Sequence, residues 1–296
     1  NNLSLQLYPS DNLSELKMQS DFATVYLKGD LAPNSIKKYG EYLVTHYLAD
    51  SVKSKNIDTR NLKDWKLSAQ IKKTDILQKL LNIPIGTSGT FSIEGNLQPQ
   101  KDYIYLSSYC QGLNYNNVEL QDLTLFLQGR DQQLTSLIQA KKPTAQSYVQ
   151  VSLSNNILNN NISTHLLWDD GDAHKNKGEI SINTLYDPQS LTDIKNLSFT
   201  TNIHPTSIAI SDSVWFIAPG QIQYTKDRLL LNNIAFNHDK QHLSLNGIVS
   251  KNLGDSLHVK LNRINLAYVL DLIKFKAVDF SGYVSGEGNL IGHKDS

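Results

Sequence analysis

Leu3, Leu5 and Leu7 alternate with Ser4 and Gln6, and this two-residue period returns along most of the chain. Successive side chains of a strand point to opposite faces, so such a pattern writes one apolar and one polar face into a sheet. Ile104 and Leu106 flank Tyr105, and Leu123, Leu125 and Leu127 form the run LTLFLQ. Leu243 and Leu245 alternate in HLSLNG, as do Leu257, Val259 and Leu261 in SLHVKLN. Turn-forming stretches such as NYNN, QGRDQQ, NHDKQ and KNLGD lie between these runs. From about residue 200 the strands arrive every 8–14 residues with polar turns between them. That spacing predicts an all-β chain, an antiparallel meander or a solenoid rather than βαβ units.

Three segments depart from the two-residue period and predict short helices. Residues 34–48 follow Pro33, with Asn34 or Ser35 as N-cap and Ile36, Tyr39, Leu43 and Tyr47 on one face. Residues 74–81 begin at Thr74 and end before Pro84; residues 265–275 begin at Asn265 and carry Leu266, Val269, Leu270 and Ile273 at helical spacing. A repeat links two of these regions. SGTFSIEGNL (88–97) and SGYVSGEGNL (281–290) agree at seven of ten positions, 193 residues apart, each after a predicted short helix. A weaker copy, TVYLKGDL (24–31), keeps Thr24, Gly29 and Leu31 at the places of Thr90, Gly95 and Leu97. The glycine before Asn or Asp in each copy predicts a bulge or sharp bend. Recurrence of this kind marks a repeat architecture.

Lys plus Arg and Asp plus Glu balance at 28 each, which removes the long-range attraction of a nucleic-acid binder or an anionic-membrane surface. Cys110 is the only cysteine, so no intramolecular disulfide or thiolate metal cage forms. The chain has no membrane-spanning apolar run and no signal peptide, and it begins and ends mid-pattern; it reads as an internal piece of a longer protein. Asp170, Asp172 and His174 alternate like the start of a calcium loop but lack Gly at position six and Glu at position twelve, which predicts a polar hairpin turn. His238 and His242 straddle a turn rather than one helix face. Cys110 reads as a small packing residue with no histidine near it in sequence. No nucleophile elbow or phosphate loop is present, so the sequence nominates no active site, no metal and no cofactor.

Several of these stretches together are similar to the TamB family, the translocation and assembly module inner-membrane components of the AsmA-like group. The likeness is to large Bacteroidetes-type members. It is carried by FATVYLKGDLAPNSIKKYGEYLVTHYL, by LSAQIKKTDILQKLLNIPIGTSGTFSIEGNL and by LLWDD followed by KNKGEISINTLY. It also rests on the order from Trp215 through the Ile222, Leu229 and Leu243 strands to the Gly282–Gly288 turn. The resemblance implies an elongated, curved β-sheet trough with apolar side chains inside and a few short helices. It further implies a periplasmic protein, anchored to the inner membrane by a segment outside this chain, that serves lipid transfer and outer-membrane translocation and assembly. Its implied partners are phospholipid acyl chains and, through parts absent here, an outer-membrane β-barrel.

The chain is accordingly expected to be one continuous β-groove segment over 1–296, with 1–97 and 98–296 as candidate sub-units. The expected groove residues are Val25, Leu27, Phe91, Ile93, Leu97, Ile104, Leu106, Leu243, Leu245, Leu257, Val259 and Leu261. An apolar sheet face must be buried against another layer or a ligand, so the same alternation also suits two half-sheets packed as a dry sandwich or barrel. The alternatives in function are an extracellular β-solenoid or β-sandwich for adhesion or glycan binding, and an enzyme on the same scaffold.

Overall fold

The computed structural model describes residues 3–9, 13–30, 32–48, 62–72, 85–115, 118–145, 147–171, 176–188, 190, 196–210, 213–265 and 282–291. The chain is all-β, as the alternation requires, with one α-helix among the described residues. It divides into two compact units, Asn1–Gly171 and Asp172–Ser296. Position 97, a candidate boundary in the sequence, instead lies inside a continuous strand ladder of the first unit.

The first unit is an antiparallel meander of ten strands, each paired with the next. They are β1 (Leu3–Tyr8), β2 (Ser14–Ser20), β3 (Ala23–Gly29), β4 (Trp65–Ile71) and β5 (Ile85–Gln98). The series continues with β6 (Tyr103–Tyr115), β7 (Val118–Arg130), β8 (Gln133–Pro143), β9 (Tyr148–Leu158) and β10 (Asn161–Asp169). Two of the two-residue connections have positive φ at both positions. Asp131 and Gln132 join β7 to β8, and Asn159 and Asn160 join β9 to β10, all four with positive φ. That is the backbone of the hairpin turn whose twist matches its strands, and Asn and Asp tolerate it best.

Helix α1 (Pro33–Leu48) interrupts the meander between β3 and β4. Proline suits its first position because an N–H there would lack an intrahelical partner. Its start differs from the expected Asn34 or Ser35 cap: the Ser35 hydroxyl donates to Asp30 at 2.5 Å, and the same carboxylate accepts the Ala32 N–H at 3.2 Å. The predicted helix at 74–81 lies outside the described residues. So does that at 265–275, except that Asn265 closes a strand rather than opening a helix.

The second unit is a meander that prolines have cut. Its strands are β11 (Lys177–Tyr186), β12 (Phe199–Ile203), β13 (Thr206–Ile210), β14 (Ser213–Ile217) and β15 (Gly220–Thr225). They are followed by β16 (Arg228–His238), β17 (Gln241–Ser250), β18 (Leu257–Asn265) and β19 (Tyr283–Leu290). β12 and β13 both run antiparallel to β11 on either side of Pro205, so they are one strand line broken where proline offers no N–H. β14 and β15, split at Pro219, both pair with β16 in the same way. β16 to β19 then follow in order.

The repeat glycines play a different part from the one expected. Gly95 sits in unbroken register between Leu67 and Leu106, and a Cβ there would come 3.1 Å from Leu106 Cδ1. It makes room for a neighbour rather than a bend. The bulge lies instead at the Ser-Gly that opens the motif: the β5–β6 register shifts between Ser88 and Phe91, and Gly89 takes φ +82. A residue with a Cβ is strained there, which is why glycine occupies it.

Candidate binding face

Register places the apolar residues of the first unit in rows that cross its strands. One row runs Leu5, Met18, Val25, Ala69, Ile93, Ser108, Leu125, Ile138, Leu153 and Leu166, one residue from each of the ten strands. Its neighbour runs Leu7, Leu16, Leu27, Leu67, Gly95, Leu106 and Leu127, and ends in Ser136, Asn155 and Thr164. Those last three satisfy one another: Asn155 Nδ2 donates to Ser136 at 3.1 Å and the Thr164 hydroxyl to Asn155 at 2.8 Å. The opposite face carries Thr24, Lys66, Ser68, Gln70, Ser92, Glu94 and Asn96. A hollow of about 580 Å³ on the chain lies among Tyr26, Lys66, Ser68, Glu94, Asn96 and Tyr105.

Seven of the expected groove residues, Val25, Leu27, Phe91, Ile93, Leu97, Ile104 and Leu106, share this apolar face. The other five share one face of the second unit: Leu243 opposite Leu261, Leu245 opposite Val259, and Leu257 opposite Gly247. Ile234 and Phe236 extend that face across β16. Tyr186, Phe199 and Tyr224 continue it as an aromatic ladder with ring centroids 5.5 and 5.2 Å apart. The expectation omitted Leu125, Ile138 and Leu153. LTLFLQ signals Leu125 plainly, but Leu137 and Ile138 are adjacent and apolar, so alternation alone cannot say which of them faces inward.

These faces are incompletely covered. Of the long first row only Ala69 is buried; the remaining apolar members are half-buried, and Leu5 at the edge is 62 % exposed. Burial is fullest where α1 lies over one margin, and again at Cys110, on the same face of β6 and 2 % exposed. Tyr39, Tyr42 and Leu62 form a buried cluster against Leu43, Trp65 and Leu97. Beside it opens an apolar cleft of about 280 Å³, lined by Tyr39, Trp65, Leu67, Leu97, Ile104 and Leu106.

One carboxylate ties the last turn of the helix to the sheet. Asp102, in the turn between β5 and β6, lies 2.5 Å from His46 Nε2, accepts from the Tyr47 hydroxyl at 3.0 Å and accepts from the Gln132 N–H at 2.7 Å. Tyr42 donates to the Pro99 carbonyl at 3.3 Å and stacks on His46 at 5.0 Å. Burial, with the Asp102 charge nearby, pushes the Tyr42 and Tyr47 phenols well above the ordinary tyrosine value. Both remain neutral donors at any ordinary pH.

Cys110 is 2 % exposed, bonds to the Gly112 carbonyl at 3.2 Å, and has its thiol pushed up by burial, the reverse of an activated nucleophile. His238 contacts the Val214 carbonyl of β14 at 2.7 Å, and His242 contacts Asn237 at 2.5 Å across the turn between β16 and β17. Asp172 and His174 lie outside the described residues. Among the described residues no three metal-ligating side chains gather, and no helix is long and apolar enough to cross a membrane. No family model, no curated protein and no solved structure matches this chain.

Proposed function

We propose that this chain is a non-enzymatic segment of a periplasmic, TamB-like bridge protein, whose apolar sheet faces shield phospholipid acyl chains between the inner and outer membranes. The observation that carries this reading is the row from Leu5 to Leu166: nine of its ten members are apolar, yet only Ala69 is buried. Soluble monomers rarely keep a contiguous apolar surface of that extent without an occupant. An acyl chain laid along such a row gains about 0.8 kcal/mol per methylene buried and needs no convergent polar group. That accords with a face whose polar residues satisfy each other at one end.

Lipid extracted from the purified protein and weighed by mass spectrometry tests the reading. Phospholipid should copurify, and Val25→Asp or Leu245→Asp should cut it several-fold while the protein stays folded. Thr24→Asp, on the polar face, should leave it unchanged. Absence of lipid, or equal lipid in all variants, refutes the reading. Unfolding by Val25→Asp and Leu245→Asp would mean that both faces are ordinary core. Soluble glycan binding that is lost in Tyr105→Ala would instead favour an adhesion role for the polar hollow.

A further inference from the structure

Glycines on the apolar face of the first unit make room for particular side chains. The Trp65 ring lies against Gly29, where a Cβ would come 2.8 Å from it. At Gly129 a Cβ would meet Ile104 Cγ2 and the Tyr47 hydroxyl, both at 2.5 Å. These two glycines let the row of Trp65, Leu97 and Ile104 settle flat, with the last turn of α1 upon it. Gly95 belongs to the next row, between Leu67 and Leu106, and there the helix leaves the cleft of about 280 Å³ open. Among the described residues Tyr39 is the one part of α1 that walls it.

The lining offers a ligand no hydrogen bond. The Tyr39 hydroxyl is engaged by Lys63, donating to its carbonyl and accepting its N–H, both at 2.8 Å. Trp65 Nε1 is shielded from solvent. Asn96 and Tyr105, which also border the cleft, carry their side chains on the opposite face. A charged headgroup would lose its hydration there without replacement, whereas an alkyl chain loses nothing. A cavity of about 150 Å³ takes one benzene ring, so this cleft suits about ten carbons, as many as the largest side chain of a docking protein could bring. The row that crosses it leads on through Leu27 on one side and Leu127 on the other, both half-buried. We infer that the cleft seats the methyl end of one acyl chain, tail inward, with α1 as the wall that stops it. The seat presupposes that the face holds acyl chains and adds to it a fixed end and polarity. By linkage, a tail in the cleft and a docked helix stabilise each other.

Trp65 reports on the cleft, because bromine quenches an indole that it touches. Titrated in excess into the full chain, ω-bromoundecanoate should quench the fluorescence that Trp65→Phe removes. Its isomer α-bromoundecanoate, with bromine at the head, should bind as tightly and quench little. Each buried methylene is worth about fourfold in affinity, so Leu67→Phe and Leu106→Phe, which fill the cleft from two strands, should each raise Kd at least about tenfold. Asp102→Gly, which frees α1, should raise it several-fold, and Leu245→Asp should leave it unchanged. If one filled variant fails to fold, the other and the isomer pair decide. An unquenched Trp65, equal quenching by both isomers, unchanged Kd in the filled variants or unchanged Kd in Asp102→Gly overturns the inference. The wider reading fails separately: should phospholipid copurify and Leu245→Asp deplete it while Trp65 stays unquenched, only the seat beneath α1 is refuted.

Discussion

Replacing Asp102 should free helix α1 from the sheet. The carboxylate holds three groups from two segments besides its own turn: the His46 imidazole, the Tyr47 hydroxyl and the Gln132 N–H. Tyr47 is 1 % exposed, so water cannot take over its bond. A buried donor left without an acceptor costs about 1–3 kcal/mol, so the two bonds that reach the helix, from Tyr47 and His46, together come to roughly 3–4 kcal/mol. Asp102 also has φ 47, where an alanine adds about 1–2 kcal/mol of backbone strain and a glycine adds little. Asp102→Gly therefore isolates the lost bonds, and its difference from Asp102→Ala isolates the strain. Hydrogen exchange read by mass spectrometry over Pro33–Leu48 is the assay, with β7 as internal reference. A tenfold change corresponds to about 1.4 kcal/mol, so Asp102→Gly should speed exchange of the helix about 100- to 1,000-fold. An increase below about tenfold in that variant would show that the tyrosine packing alone holds the helix, and would refute the reasoning. The freed margin should also uncover Ile104, now 7 % exposed, and widen the cleft beside it.

Alkali should release the same helix. The folded Tyr42 and Tyr47 phenols titrate above the unfolded value of 10.0, so their contribution is complete below pH 10 and is lost as pH rises from there towards the folded values. The urea-unfolding midpoint, followed from pH 9 to about 12, should show this onset, and Tyr42→Phe should weaken the pH dependence; a midpoint flat over that range would contradict it. Cys110, buried and with a raised pKa, should resist iodoacetamide in buffer and react stoichiometrically in urea, and rapid native labelling would contradict its assigned place.

Much of the architecture was legible because alternation is a local property. LSLQLY, TVYLKG and HLSLNG each declare a strand and its apolar side from a handful of adjacent residues. The groove residues chosen that way fall on one face in each unit, since antiparallel register preserves the parity within each strand. The α1 helix was equally visible, but Tyr42, as deeply buried as Tyr47, was not. Tyr39, Leu43 and Tyr47 satisfied the helical spacing, and Tyr42 and His46 acquire their roles only from the Asp102 turn. Asp102 itself was invisible as a hub, being 55 residues from Tyr47 in sequence and brought there by the β5–β6 turn. The repeat glycine was noticed for the right residue and the wrong reason. A glycine required by a bend and one required by a neighbour's side chain look alike until the partner strand is in place.

By itself the sequence determined that this chain forms strands, which side of each is apolar, and where turns and prolines break them. Those follow from side-chain period and backbone sterics within a few residues. Tertiary structure alone decided which strands are neighbours. It therefore decided that Leu106 fills the seat at Gly95. It also decided how far each apolar row is covered, because burial depends on what the rest of the chain lays over a face. On that point rests the difference between a core and a binding surface.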